Sequence, residues 1–159
     1  MKPLILGLAL ALTALNAQAS DYPRTLPREY YLETAKRGTN KNCYFWVAPG
    51  FDRSRGITWS GEVEWAAKER SVEFLKTLKQ GLKDITTAHG AYSLKVAVVL
   101  VETDFWATGD ARIEVEIRDE AGRIMALGSD WAMTAMGGAN GQRALADSVV
   151  GSLEADLFK

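Results

Sequence analysis

The sequence predicts an α/β (α+β) two-layer sandwich in which two helices cover one face of a four-stranded mixed sheet. Two observations carry this prediction. Apolar residues recur every three or four positions in two segments, and apolar residues alternate with polar ones in several segments between them. The resulting element order is strand, helix, strand, strand, strand, helix. Each helix has one apolar stripe, so a single face of the sheet can bury both.

The first predicted strand is Tyr44–Ala48, a run of aromatic and β-branched residues that stops at Pro49 and Gly50. Its continuous apolarity indicates burial on both faces. The segment Ile57–Trp65 alternates with period two but begins in a loop-like stretch, so strand, loop and helix start all stay open for it. If the first strand pairs with the second across the helix, we expect that pair to be parallel with a right-handed crossover.

The first predicted helix follows Ala66 and ends before Gly90. Its apolar stripe consists of residues spaced three or four apart: Val72, Leu75, Leu78, Leu82 and Ile85. The second predicted strand, Tyr92–Glu102, is apolar on most of both faces. Its alternation places Val98 and Leu100 on one face, and Val99 and Val101 on the other.

The third predicted strand, Ala111–Arg118, has the clearest alternation in the chain, with apolar residues on one face and charged residues on the other. Asp119–Gly122 has the acidic start and closing glycine of a hairpin turn, which leads into a fourth strand over Arg123–Met133. Gly137–Gly141 is predicted to be a flexible break. Leu145, Val149, Leu153 and Leu157 then repeat every fourth residue, which predicts a C-terminal helix.

The N-terminus has the pattern of an export signal. A short basic start precedes an apolar run from Leu4 to Leu15, and a small-x-small motif then ends at Ala19. We therefore expect residues 1–19 to be a signal peptide that is cleaved between Ala19 and Ser20. The apolar run is too short to span a membrane. The predicted mature chain has a polar segment, 20–42, with a possible short helix near its middle, and one α/β domain, 43–159.

The charge of the chain and its leader limit the classes of partner and the cellular location that we predict. The leader contains one of the 19 basic residues and none of the 20 acidic residues, which leaves the mature chain a net charge of −2. Both signs are interspersed, so the chain has no basic face for nucleic acid. No integral membrane span is expected in the mature chain. The predicted location is the periplasm, with secretion as the other destination of an exported chain.

Cys43 is the single cysteine, so an internal disulfide is impossible. It precedes the apolar strand and is interpreted as a buried thiol, with an intermolecular bridge as the alternative. A bacterial lipoprotein signal places its acylated cysteine directly after the cleavage point. That position here is Ser20, which disfavours acylation.

Enzymatic interpretations find little support in the sequence. His89 is the single histidine and lies in a helix-ending turn with Gly90, so a Cys43–His89 nucleophile pair is the less favoured interpretation. Glu114 and Glu116 alternate with core positions between Arg112 and Arg118, which favours a solvated, charge-paired sheet face over acid–base chemistry. The adjacent carboxylates Asp119 and Glu120 are likewise interpreted as part of a turn. No catalytic residue, metal ligand set or cofactor is predicted, and Gly137–Gly141 does not follow a phosphate-loop pattern.

Five tryptophans suggest a recognition surface. Trp46 and Trp131 lie in predicted strands and are interpreted as core residues. Phe105 and Trp106 are adjacent in a predicted turn, and Trp59 lies in the loop-like stretch. We predict that Trp59, Phe105 and Trp106 contribute to a binding surface, with local packing as the alternative. Val99 and Val101 suggest a second contact surface, because they form an apolar face that the N-terminal segment or another protein must cover.

The segments Tyr92–Val96 and Arg112–Gly122 resemble the central strand and hairpin of exported bacterial envelope domains classed as lipoproteins of unknown function. The N-terminal domain of the Tol translocation protein is similar in element order. The resemblance covers residues 44–158. It implies an envelope location and a non-enzymatic role, and it supplies no catalytic residues. The chain departs from the lipoprotein members because it lacks the acylated cysteine.

The leading functional interpretation is a soluble periplasmic, non-enzymatic accessory or binding domain that works through contacts with an envelope protein or with itself. A second interpretation is a small-ligand or glycan binder, because sugar rings stack on exposed tryptophan. A third is a hydrolase with an unfamiliar site. Sequence alone does not identify the partner, the ligand or the oligomeric state.

Overall fold

A computed structural model describes residues 36–38, 44–103 and 108–159 of the chain. Within these ranges it has seven strands, two α-helices and a short 3₁₀ helix over Arg53–Arg55. The strands are β1 (Lys36–Arg37), β2 (Tyr44–Val47), β3 (Ile57–Trp59), β4 (Glu64–Trp65), β5 (Tyr92–Thr103), β6 (Gly109–Asp119) and β7 (Ile124–Thr134). The helices are α1 (Val72–Ile85) and α2 (Gly138–Leu153), and α2 continues into a π-helical turn over Glu154–Phe158.

The strands form one mixed sheet in the order β1-β2-β7-β6-β5-β3, and β4 pairs with β5 farther along that strand. The three long strands β5, β6 and β7 are antiparallel neighbours, which confirms the predicted meander. The prediction of a four-stranded sheet is wrong, because β1, β3 and β4 also pair into it. These strands have only two or three residues each, so the sequence pattern did not decide whether they are strands.

The condition considered for the first strand, pairing with the second predicted strand, is not met. β2 pairs antiparallel with β7, from Tyr44 opposite Ser129 to Val47 opposite Ala126, and does not pair with β5. Its residues are half-buried, so the prediction of burial on both faces does not hold. Pairing between distant segments depends on the whole sheet, and the apolar run of β2 did not contain that information.

The parallel pairs of the sheet involve the segment Ile57–Trp65, for which the sequence left strand, loop and helix start as alternatives. Ile57 of β3 lies opposite Tyr92, and Glu64 of β4 lies opposite Ala97, both in parallel register with β5. The chain then returns to β5 through α1, as a parallel connection requires. The segment Ile57–Trp65 is therefore two short edge strands separated by a turn at Gly61, where φ is +86°.

An irregularity in β5 changes the predicted faces of that strand. The register with β6 shifts between Val98 and Leu100. Beyond this bulge Leu100 lies opposite Arg112, and Val101 lies opposite Ala111 in the buried core. Val99 and Val101 therefore do not form the second apolar face that simple alternation predicted.

Both helices pack against one face of the sheet, in agreement with the sequence, and close a single hydrophobic core. The helix residues of this core include Phe74, Leu78, Leu82, Leu145, Val149, Leu153 and Leu157, all buried. Ser71 caps α1 by accepting a hydrogen bond from the backbone N–H of Phe74 at 3.2 Å. The predicted flexible break at Gly137–Gly141 is wrong, because α2 begins at Gly138.

Several predictions lie outside the described residues. They concern the signal peptide with its cleavage site between Ala19 and Ser20, most of the polar segment 20–42, Cys43, and the turn residues Phe105 and Trp106. No helix in the described part of the chain is both long and apolar enough to cross a bilayer.

Candidate functional site

Exposed apolar side chains collect at one end of the sheet. Among the described residues, the large hydrophobic side chains that are exposed are Val72 (76%), Trp131 (39%), Met133 (65%) and Met136 (50%). The last three lie within six residues, at the end of β7 and in the turn before α2. We name Trp131, Met133 and Met136 the tryptophan–methionine patch. Val72 is separate from them in the sequence, at the first position of α1.

The sheet register defines the surroundings of this patch. Trp131 lies opposite Arg112, and Met133 lies opposite Asp110 on β6. Trp131 and Met133 share a sheet face because alternate residues of a strand point to the same side. Ala132, between them, is buried in the core that the helices cover. Trp131 and Met133 therefore lie on the face opposite the helices, which we call the open face. The sequence interpretation of Trp131 as a core residue is wrong.

β5 ends and β6 begins at the same end of the sheet. Thr103 lies opposite Gly109, which in turn lies opposite Thr134 at the end of β7. The predicted binding residues Phe105 and Trp106 fall between Thr103 and Gly109 in the sequence and lie outside the described residues. The chain thus enters and leaves that segment at the end of the sheet where Met133 is exposed.

Charged residues line the middle of the open face in pairs. Arg112 Nη2 donates to Glu114 Oε1 at 2.9 Å, and Arg118 Nε donates to Glu116 Oε1. The second hydrogen bond raises the pKa of Arg118 above its usual value. Glu114 and Glu116 are only 6% and 8% exposed. The predicted charge pairing is present, but the predicted solvation of these carboxylates is wrong.

Trp59 is held by its local environment. Its indole N–H donates to the carbonyl of Glu62 at 2.9 Å, and the half-buried ring packs against the core. Trp65 follows the same pattern, with its N–H donating to the carbonyl of Glu69 and its ring edge-on to Phe74. These contacts satisfy the polar atom of each ring within its own loop. Trp59 belongs to the edge strand β3 and is separate from the tryptophan–methionine patch.

Among the residues considered for enzyme chemistry, Cys43 lies outside the described residues, whereas His89 and Asp119 have structural contacts. His89 is exposed in the turn after α1, where its backbone carbonyl accepts a hydrogen bond from the Thr87 hydroxyl at 2.8 Å. Asp119 is the last residue of β6, lies opposite Tyr92 of β5 and forms an ion pair with Arg123. Within 36–38, 44–103 and 108–159, no group of three or more His, Cys, Asp or Glu side chains is arranged to hold a metal ion.

Comparison with known proteins identifies the fold. No family model and no curated protein matches the sequence. Among solved structures, the PelC dodecamer from Paraburkholderia phytofirmans matches with a TM-score of 0.53 and 11% sequence identity, over 71% of this chain and 96% of that chain. The chain has the fold of PelC. At this identity the likeness describes the fold alone.

Two further solved structures are similar at a lower level. A single-substitution variant of PelC from the same organism has a TM-score of 0.49 and 14% identity, over 71% of this chain and 96% of that chain. A protein classed as a lipoprotein from Caulobacter crescentus CB15 has a TM-score of 0.38 and 18% identity, over 59% of this chain and 85% of that chain. The resemblance to the Tol domain stays a prediction.

Proposed function

We propose that this chain is an exported, non-enzymatic accessory protein of the bacterial cell envelope, located in the periplasm, that works through protein contacts and associates with itself. The observation that carries the proposal is the tryptophan–methionine patch. Tryptophan and methionine are enriched in protein–protein interfaces, whereas single exposed hydrophobic residues need no explanation. Three such side chains at one end of a sheet are favourable to bury against another protein surface.

The partner that we propose for the patch is a second copy of this chain. The fold supports this choice, because the solved PelC protein of the same fold is described as a dodecamer. The residues around the patch support it as well. Arg112 and Asp110 lie opposite Trp131 and Met133, so the surrounding surface has both charge signs. A surface with both signs can be complementary to a copy of itself.

The proposal is tested by size-exclusion chromatography with light scattering on the purified protein and on a Met133→Lys variant. We expect the unmodified protein to have a mass above that of the monomer. Met133→Lys places a charge in the proposed contact and should weaken association by at least about tenfold, because removing an ammonium group from water is costly even with Asp110 opposite it. The fold should be preserved, since this side chain is 65% exposed.

The matched control is Val72→Lys, which introduces the same charge at an exposed apolar position on α1. We expect this variant to associate as the unmodified protein does. A monomeric unmodified protein at high micromolar concentration would contradict the proposed self-association. Equal weakening by both variants would show that the effect comes from charge and is not specific to the patch.

A further inference from the structure

A groove lies at the opposite end of the sheet from the tryptophan–methionine patch. It has a volume of about 430 Å³ and is bounded by the turn 48–50, the start of β5 and the β6–β7 hairpin. This volume is within the range of pockets that hold small ligands, about 300–1,000 Å³. The side chains that define its chemistry are Arg55, Tyr92, Asp119, Arg123, Ile124 and Met125.

The floor of the groove is apolar and rigid. The Tyr92 ring is buried and packs against Phe51, with ring centroids 4.9 Å apart. The Tyr92 hydroxyl accepts a hydrogen bond from the backbone N–H of Asp52 at 3.2 Å. The backbone beside Met125 is also fixed, because its carbonyl accepts a hydrogen bond from the N–H of Ala48 at 2.8 Å. These contacts hold the Tyr92 ring and the backbone at Met125 in place beneath the groove.

Arg55 is an exposed residue at the groove, with contacts from both its guanidinium and its backbone. Its guanidinium lies 5.5 Å from the centre of the Tyr92 ring, a cation–π distance. Its backbone carbonyl accepts a hydrogen bond from Ala91, and its N–H donates to Asp52. Within the described part of the chain, no carboxylate forms an ion pair with Arg55. The nearby Asp52 carboxylate accepts instead from the Ser54 N–H and hydroxyl.

Arg123 supplies a second fixed cation. Its Nε and Nη2 atoms both lie 2.7 Å from Asp119 Oδ2, and its backbone N–H donates to Oδ1 at 2.9 Å. Asp119 is thereby neutralised by the residue that it holds in place. Two arginines and one aspartate line the groove, so its lining has one positive charge in excess. Asp52, outside the lining, also interacts electrostatically with Arg55.

We infer that this groove binds a small organic molecule that has a carboxylate group on an apolar body. The carboxylate lies against the guanidinium of Arg55, whose fork of N–H donors matches a carboxylate. The apolar body lies on Ile124 and Met125, which are half-buried beside the packed ring of Tyr92. This site is independent of the proposed self-association, because it uses the hairpin end of the sheet and none of the patch residues.

The test is a titration of the ¹⁵N-labelled protein with phenylacetate, followed by two-dimensional NMR. Phenylacetamide, which has the same ring and no charge, is the matched control ligand. We expect saturable shifts of the Arg55, Tyr92 and Met125 amides with phenylacetate, and at least about tenfold weaker binding of phenylacetamide. Equal binding of both molecules, or shifts that do not saturate, would overturn the inference.

Two variants locate the carboxylate. Arg55→Gln should weaken phenylacetate binding about tenfold, because it removes the charge-assisted hydrogen bonds. Arg143→Gln removes the same charge from an exposed position on α2 and should leave the affinity unchanged. Unchanged affinity in Arg55→Gln would overturn the assignment of this residue. Inorganic phosphate is titrated separately, and binding of phosphate without binding of phenylacetate would contradict the role of the apolar floor.

Discussion

At the scale of single residues, the β6–β7 hairpin depends on one carboxylate. Asp119 accepts the backbone N–H of Arg123 and binds its guanidinium, while the N–H of Gly122 donates to the Asp119 carbonyl at 2.9 Å. The φ of Gly122 is +80°, a conformation that glycine adopts without steric cost. The N–H of Arg123 is the main cause that lowers the pKa of Asp119 below its ordinary value of 3.8.

We expect Asp119→Asn to lower the melting temperature at pH 7 and to have a smaller effect in acid. Because the folded protein has the lower pKa, the ionised carboxylate stabilises it above pH 3.8, and this contribution is lost as the pH falls through the folded value. Thermal unfolding of both proteins between pH 7 and pH 2 measures the difference. A difference that stays constant over this range would show that the charge of Asp119 does not contribute.

At the scale of elements, the two helices approach each other closely at a glycine. A Cβ atom built on Gly81 of α1 would lie 2.8 Å from Val150 Cγ2 of α2. Such a distance is shorter than a normal carbon–carbon contact, so a side chain at position 81 must push the helices apart or move Val150. The absence of a side chain at Gly81 therefore allows this packing distance.

Alanine substitutions at Gly81 and Gly151 should have opposite effects on the stability of the fold. Alanine favours a helix over glycine by up to about 1 kcal/mol, but the clash of Gly81→Ala should outweigh this gain and destabilise the fold by about 1–2 kcal/mol. Gly151→Ala, in α2, has no neighbour within 4 Å of its new Cβ and should stabilise by about 0.5–1 kcal/mol. Urea unfolding of the two variants measures both values.

A double variant distinguishes the clash from other causes. Val150→Ala removes the methyl groups that the new Cβ would contact. Combined with Gly81→Ala, it should destabilise the protein by less than the sum of the two single substitutions. Additive effects would show that the cost of Gly81→Ala arises elsewhere.

The elements with strong periodicity were predictable from the sequence. The alternation in β6 and the helical spacing in α1 and α2 extend over eleven or more residues, so each pattern has one consistent interpretation. The hairpin followed from Asp119 and Gly122. In contrast, β3 and β4 are so short that the alternation of Ile57–Trp65 did not decide their structure, and the bulge after Val98 reverses the predicted faces in the part of β5 beyond it.

The candidate sites were harder to predict from the sequence, because they too depend on contacts between distant segments. Alternation places Trp131 and Leu127 on the same face of β7, but Leu127 is fully buried whereas Trp131 is exposed. Which part of a face is covered depends on neighbours from distant segments. The groove also depends on distant segments, because its residues Arg55, Tyr92 and Arg123 come from three separate parts of the chain. Only the assembled sheet places these three residues around one groove.

At the scale of the whole molecule, the two ends of the sheet have different chemistry. One end exposes Trp131, Met133 and Met136, whereas the other has the groove with Arg55 and Arg123. The helices cover one face, and buried ion pairs occupy the middle of the other. An assembly through the patch would therefore leave the groove accessible. The two proposals are compatible in one molecule, and each has its own test.

The apolar character of the patch predicts how salt and a reducing agent affect an assembly formed through it. Apolar contacts are not screened by salt, whereas exposed ion pairs weaken as ionic strength rises. The single cysteine, Cys43, offers a different route to an oligomer through an intermolecular disulfide. Self-association through the patch should therefore persist in dithiothreitol and in about 0.5 M NaCl, a concentration at which the attraction between exposed charges is strongly screened. Analytical ultracentrifugation measures the mass of the assembly with and without dithiothreitol, each at low and at high salt. Dissociation in dithiothreitol alone would assign the assembly to Cys43, and dissociation in salt alone would assign it to surface charges such as Asp110 and Arg112.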